Sequence, residues 1–152
     1  MSLTLLRSSY DPDPYPDSGL HNFSFALVIT GISSNKQLIK TANMYNHPLQ
    51  YISGKQHKGD LDLTCGFISV KSDSTIVSAM KMAEDLEKGL VLRFYEVEGS
   101  DSAVHIEFAK TPINACFVDI HEKPIAGEIE LNGKEVKFNI KAYNIESIVI
   151  EF

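Results

Sequence analysis

The side chains able to do chemistry are few and widely spaced. Histidines stand at His21, His47, His57, His105 and His121, and no two of them lie at the i,i+2 or i,i+4 spacing that lets neighbouring imidazoles share a zinc ion. Solvated or hydrogen-bonded structural histidines are the expectation. The two cysteines, Cys65 and Cys116, are too few for a disulfide framework or a cysteine-rich zinc site. Cys65 precedes Gly66 and Phe67 in a strand-like run, the setting of an inert, buried thiol. A nucleophile elbow requires Gly-x-Ser-x-Gly, which does not occur, and the nine glycines form neither a phosphate loop nor a dinucleotide fingerprint.

Carboxylates are what remains. Asp11, Asp13 and Asp17 sit in Asp11-Pro12-Asp13-Pro14-Tyr15-Pro16-Asp17-Ser18-Gly19, where each proline fixes φ, lacks a donor and disfavours helix at the residue before it. The result is a stiff acidic loop. It could bind a sugar hydroxyl or a cation, or it could be solvated turn chemistry, since Asp before Pro commonly begins a turn. Tyr10, Tyr15, Tyr45 and Tyr51 fall in loop-like regions and offer either a saccharide platform or ordinary edge packing; the chain has no Trp. Residue chemistry alone describes a domain with no active site of its own.

Composition bounds the class. A chain of 152 residues is one domain's worth, and 43% hydrophobic with 22% charged residues is the balance of a folded domain, not of a disordered tail. A net charge of −6 leaves no excess of cations for a phosphate backbone, which argues against nucleic acid as a partner. No apolar run approaches the roughly 20 residues that span a bilayer, and no signal peptide opens the chain, so no membrane partner is expected.

The elements that must hold these residues are mostly strands. Leu3 to Arg7 is short and apolar enough for a strand, and Phe23, Phe25, Leu27 and Ile29 alternate with Ser24, Ala26 and Val28 at the period of a half-buried one. Residues 35–45 allow at most one or two short helical turns, ended by Asn46-His47-Pro48. Strands are then expected over Leu61–Val70, Gly89–Val97, Ala103–Phe108, Ile113–Ile120, Glu128–Leu131, Val136–Ile140 and Ile145–Phe152, with turn signals at Gly99-Ser100-Asp101 and Asn132-Gly133. Short strands at regular spacing predict an all-β fold, an antiparallel β-sandwich. Thr75 to Lys88 is ambiguous: Ala79, Met80, Lys81, Met82, Ala83, Glu84 and Leu86 are helix formers, while Ile76-Val77 suits a strand. Met1-Ser2 is set apart as a start residue and cloning remnant, and residues 3–152 are taken as a single domain, with no linker or internal repeat.

Several passages, in order, resemble one family. Leu5-Leu6-Arg7-Ser8, Pro12-Asp13-Pro14, Asp17-x-Gly19, His21 and Phe23-Ser24-Phe25-Ala26-Leu27 resemble the passage "LLRS…PDP…D-x-G-x-H-x-F-x-Y-A-L" of the glycoside hydrolase family 38 α-mannosidases. Ala42 to Leu49 is similar to the family's "A-x-x-x-N-x-P-L", Phe67–Val70 with Ile76–Asp85 to "S-F-x-x-V…V-V-L-S-A-L-K-K-A-E-D", and Gly89–Glu96 to "G-L-I-L-R-L-Y-E". Glu122-Lys123-Pro124 and the closing Ile145–Ile150 also fit. One departure is that Val28-Ile29-Thr30 stands where the family usually has Pro-His.

The resemblance implies a fragment of a longer cytoplasmic enzyme: its non-catalytic C-terminal β-sandwich, with the zinc ligands and nucleophilic Asp in an N-terminal catalytic domain. The implied partners are that catalytic domain and, for the parent, an α-mannoside hydrolysed with retention. The parent's homo-oligomeric state is left open. No cofactor is expected in this segment and no catalytic or metal residue; zinc belongs to the parent. The segment alone is expected to be inactive. By the same resemblance Ile76–Glu84 becomes a strand leading into a hairpin at Leu86-Glu87-Lys88-Gly89, and Arg7, Asp13, Asp17 and His21 become a wall of the substrate cleft or an interdomain contact. The alternatives are a free-standing carbohydrate-binding sandwich and a purely structural module.

Overall fold

Alternating large apolar residues along the second half of the chain build two antiparallel sheets of four strands each. The computed structural model describes every residue except Met1, Ser9, Tyr10, Pro14, Ile32 and Glu87, so Tyr10 and Pro14 of the acidic loop and Glu87 of the expected hairpin lie outside the described residues. Two compact units are present, residues 1–31 and residues 32–152.

The second unit opens with helix α1 (Asn35–Asn46) and continues as strands β1 (Ile68–Lys71), β2 (Thr75–Met82), β3 (Gly89–Glu96), β4 (Ser102–Phe108), β5 (Asn114–Val118), β6 (Glu130–Asn132), β7 (Glu135–Ile140) and β8 (Ile145–Glu151). One sheet has the order β1-β4-β7-β6 and the other β2-β3-β8-β5. Period-two alternation turns Leu92 and Phe94 of β3, Phe117 of β5 and Ile148 and Ile150 of β8 into one core with Val104, Ile106 and Phe108 of β4 and Val136, Phe138 and Ile140 of β7. Phe138 joins the layers, packing edge-on to Phe94 at 5.3 Å and to Phe117 at 5.4 Å. Burial of each such side chain contributes about 1.5–3 kcal/mol. On the outer face of the second sheet Val91, Val118 and Val149 form a smaller cluster beside Ala83, Leu86 and Cys116. Among the described residues the fold is an antiparallel β-sandwich with one helix.

The ambiguous segment is a strand. β2 pairs with β3 despite its helix formers, because ladder bonds and a place on the sheet outweigh a propensity difference of tenths of a kcal/mol per residue. A bulge is inserted at Ser78: Val77 opposes Phe94 and Ala79 opposes Arg93, and Ser78 Oγ donates to the Arg93 carbonyl at 3.3 Å. Helix α1, of 12 residues, occupies the region of expected helical turns. Ser34 caps its start, accepting from Gln37 N–H at 3.3 Å, and the chain leaves it at His47 ahead of Pro48.

Other expected strands are shorter or missing. Among the described residues neither Leu3–Arg7 nor Phe23–Ile29 lies in a sheet, and the stretch from Leu61 becomes strand only at Ile68. The physical reason is the same in each case. A period-two pattern needs a neighbouring strand to pair with and an apolar layer to face; residues 47–66 join no sheet among the described residues, and Leu49, Tyr51, Ile52 and Leu63 stand almost wholly in solvent.

Candidate functional site

Among the described residues between Arg7 and His21, most of which are exposed, polar groups of the loop bond to one another. Asp13 Oδ1 accepts the Tyr15 N–H at 2.9 Å, an Asx turn that proline spacing favours. Asp17 takes a left-handed conformation (φ 55°), its carboxylate 3.5 Å from the donating Ser8 hydroxyl, and its carbonyl accepts from His21 Nε2 at 2.6 Å. The His21 ring lies parallel to Phe23 at 6.0 Å. The structure thus brings Asp17 and His21 together through the main chain and leaves Asp13 in its own turn. Arg7 is exposed and makes no hydrogen bond or ion pair among the described residues. The loop offers a guanidinium and carboxylates that could hydrogen-bond a hydroxyl or a facing charge.

In residues 32–152 a separate open cleft of about 490 Å³ lies beside α1. Lys40, Asn43, Met44 and His47 line one wall at i, i+3, i+4 and i+7, the spacing of a single helical face; Ile76, Val77, Ser78 and Tyr95 line the other. Sequence reasoning did not join these residues, although the helical spacing was there to be seen. What it could not show was that β2 and β3 would lie opposite.

The helix is held at its N-terminus by a carboxylate. Glu98 Oε1 accepts the Lys36 N–H at 2.8 Å and the Ser34 hydroxyl at 2.7 Å, while Asn35 Nδ2 donates to the Val97 carbonyl at 2.8 Å and the Lys36 ammonium to that of Ser72. The Lys36 N–H first, and the Ser34 hydroxyl second, hold the Glu98 carboxyl below its ordinary range. Beside it Glu96, only 3% exposed, accepts from the N–H groups of Glu98 (2.8 Å), Gly99 (2.8 Å) and Tyr143 (2.9 Å). Gly99 suits this turn because its φ of 78° strains an L side chain. Asp101 completes the turn, accepting from Lys141 Nζ at 2.6 Å and Ala142 N–H at 3.1 Å.

Burial alone would raise the Glu96 carboxyl; the backbone N–H groups of Tyr143, Glu98 and Gly99 overcome it and hold the group at about 2, against 4.5 unperturbed. A folded-state pKa below the unfolded one contributes stability that is present above about pH 4.5 and lost as the pH falls toward 2. Glu96→Gln is expected to flatten the fall of Tm through that window in calorimetric scans, and to lower Tm at neutral pH. Because Glu98, Asp101 and Asp119 are also held down by their donors, the slope should shrink without vanishing. A Tm–pH curve unchanged by Glu96→Gln would refute the assignment.

Beyond the β2–β3 hairpin, Lys81 pairs with Glu84 at 2.9 Å and Glu122 at 2.5 Å, and Lys123 with Asp85 at 2.7 Å. The exposed pairs Lys81–Glu84 and Lys123–Asp85 contribute little stability, while Glu122 is largely buried, and together they fix the turn at residues 119–123 against the hairpin. Cys116 is half-buried and its thiol pKa is pushed up by that burial, as suits an inert residue. Cys65, expected to be buried, is exposed instead, because the chain around it is not yet strand. Among the described residues no three His, Cys, Asp or Glu side chains converge to hold a metal ion. No helix among them is long and apolar enough to cross a membrane.

Residues 74–148, from the start of β2 to the middle of β8, match the family described as glycosyl hydrolases family 38, C-terminal β-sandwich domain. The sandwich over residues 74–148 belongs to that family. The family 38 domain also has relatives that match along most of the chain. It is 27% identical to alpha-mannosidase 2C1 of Homo sapiens over 99% of its own length, and 27% identical to alpha-mannosidase 2C1 of Mus musculus over the same share. With alpha-mannosidase G of Dictyostelium discoideum the identity is 31% over 91% of the chain. The chain spans only 15% of the first two proteins and 13% of the third. No solved structure matches it. The Arg7–His21 loop lies outside the 74–148 match.

Proposed function

We propose that this family 38 sandwich is the non-catalytic C-terminal domain of a retaining α-mannosidase and packs on the catalytic domain of the same polypeptide. The observation that carries this reading is the nearly full-length match to proteins named alpha-mannosidase, of which the chain accounts for 15%. Large apolar side chains exposed along residues 20–31 and 49–67 support it, since a missing neighbour would bury them. Arg7, unpaired among the described residues, is then with Asp13, Asp17 and His21 a wall of the mannoside cleft or a contact to the catalytic domain. The nucleophilic carboxylate and zinc ligands of the parent lie outside this chain. Two free cysteines fit a reducing, cytoplasmic setting.

Hydrolysis of an aryl α-mannoside tests this. The complete reading frame containing the segment should turn over, and the 152-residue chain should not, with or without added zinc. Turnover by the short chain overturns the non-catalytic role. An inactive complete protein overturns the mannosidase reading.

A further inference from the structure

Residues 23–29 carry a pattern that the folded chain does not use. Phe23, Phe25, Leu27 and Ile29 fall on one side of an extended segment and Ser24, Ala26 and Val28 on the other, so a straight strand would present one bulky apolar face and one slimmer face. In the structure the segment belongs to no sheet among the described residues. Its bulky face is open: Phe23 is 49% exposed, Phe25 65%, Leu27 76% and Ile29 92%. Four large apolar side chains in strict alternation, all in solvent, are what a strand looks like when its sheet is absent. The chain spans 15% of the α-mannosidases it matches, so most of such a polypeptide lies outside it and can supply that sheet.

We propose that residues 23–29 are a donated β-strand: they add to a sheet edge in the preceding part of the same parent polypeptide, pairing through the main chain and seating Phe23, Phe25, Leu27 and Ile29 in its apolar layer. This rests on the reading of the chain as the C-terminal part of a larger α-mannosidase. Donation of a strand satisfies backbone groups through the ladder while alternate side chains fill pockets, which fixes register as well as affinity. It also places the adjoining Arg7–His21 loop at the junction with the partner, because only Asn22 separates His21 from the strand.

Hydrogen exchange read by mass spectrometry on the complete parent and on the 152-residue chain tests the proposal. Amides of residues 25–29 should exchange at least a hundredfold more slowly in the parent than in the short chain. Phe25→Asp should abolish that protection and lower the parent's Tm while leaving the Tm of the short chain unchanged, and Phe25→Leu should restore both. Equally fast exchange in the two proteins overturns the donated strand; if the parent still hydrolyses an aryl α-mannoside, the mannosidase reading stands without it. Protection that appears in the short chain and grows with its concentration means that a second copy is the occupant, which also overturns the proposal.

Discussion

Phe138→Ala is expected to lower the unfolding free energy of the chain by about 3–5 kcal/mol, a large share of what a domain of this size has. Phe138 is 5% exposed and comes from β7 of one sheet, yet its ring partners, Phe94 and Phe117, come from β3 and β5 of the other. Truncation removes the apolar transfer term, leaves a cavity between two ladders too stiff to close it, and deletes both edge-to-face contacts. Phe138→Leu keeps most of the volume and should cost no more than about 1.5 kcal/mol. Urea unfolding with an unchanged m-value is the measurement. A loss under about 1 kcal/mol for Phe138→Ala would mean that the layers are not locked together at this ring.

Arg7→Ala in the complete parent should cut kcat/KM for an aryl α-mannoside at least tenfold, equivalent to about 1.4 kcal/mol of transition-state binding. The side chain is exposed and unpaired among the described residues, so its removal costs the sandwich nothing, and the Tm should not move. The loss would come from a facing carboxylate or a sugar hydroxyl that needs a forked donor, which Lys supplies only as a point charge; Arg7→Lys should therefore recover only part of it. A rise in KM with kcat held would place Arg7 in ground-state binding, and a fall in kcat would place it against the transition state. Turnover near that of the unaltered enzyme would remove Arg7 from the cleft.

The β-sandwich was legible where period-two runs stand between turn signals. The patterns over residues 89–97, 103–108, 136–140 and 145–152 each became a strand within a residue or two, and the Asn132-Gly133 signal became the β6–β7 turn with Gly133 at φ 57°. Propensity misled at Thr75–Met82, and the family-like passage corrected it, because the context that makes β2 a strand is the edge of β3. Residues 3–7 and 23–29 show the opposite case, strand patterns with no sheet to join.

By itself the sequence determined the class, an acidic β-sandwich without a local catalytic motif, and the family resemblance that the match over residues 74–148 bears out. Period-two alternation and glycine turns are local properties, and local properties are what a sequence displays. Tertiary structure decided the rest: which strands share a sheet, the Glu96 carboxylate gathering N–H groups from residues 98, 99 and 143, and Glu98 reaching back more than sixty residues to cap α1 at Ser34 and Lys36. Those contacts are set by the register of strands far apart in the chain. A carboxylate in a sequence does not say which backbone donors the fold will aim at it.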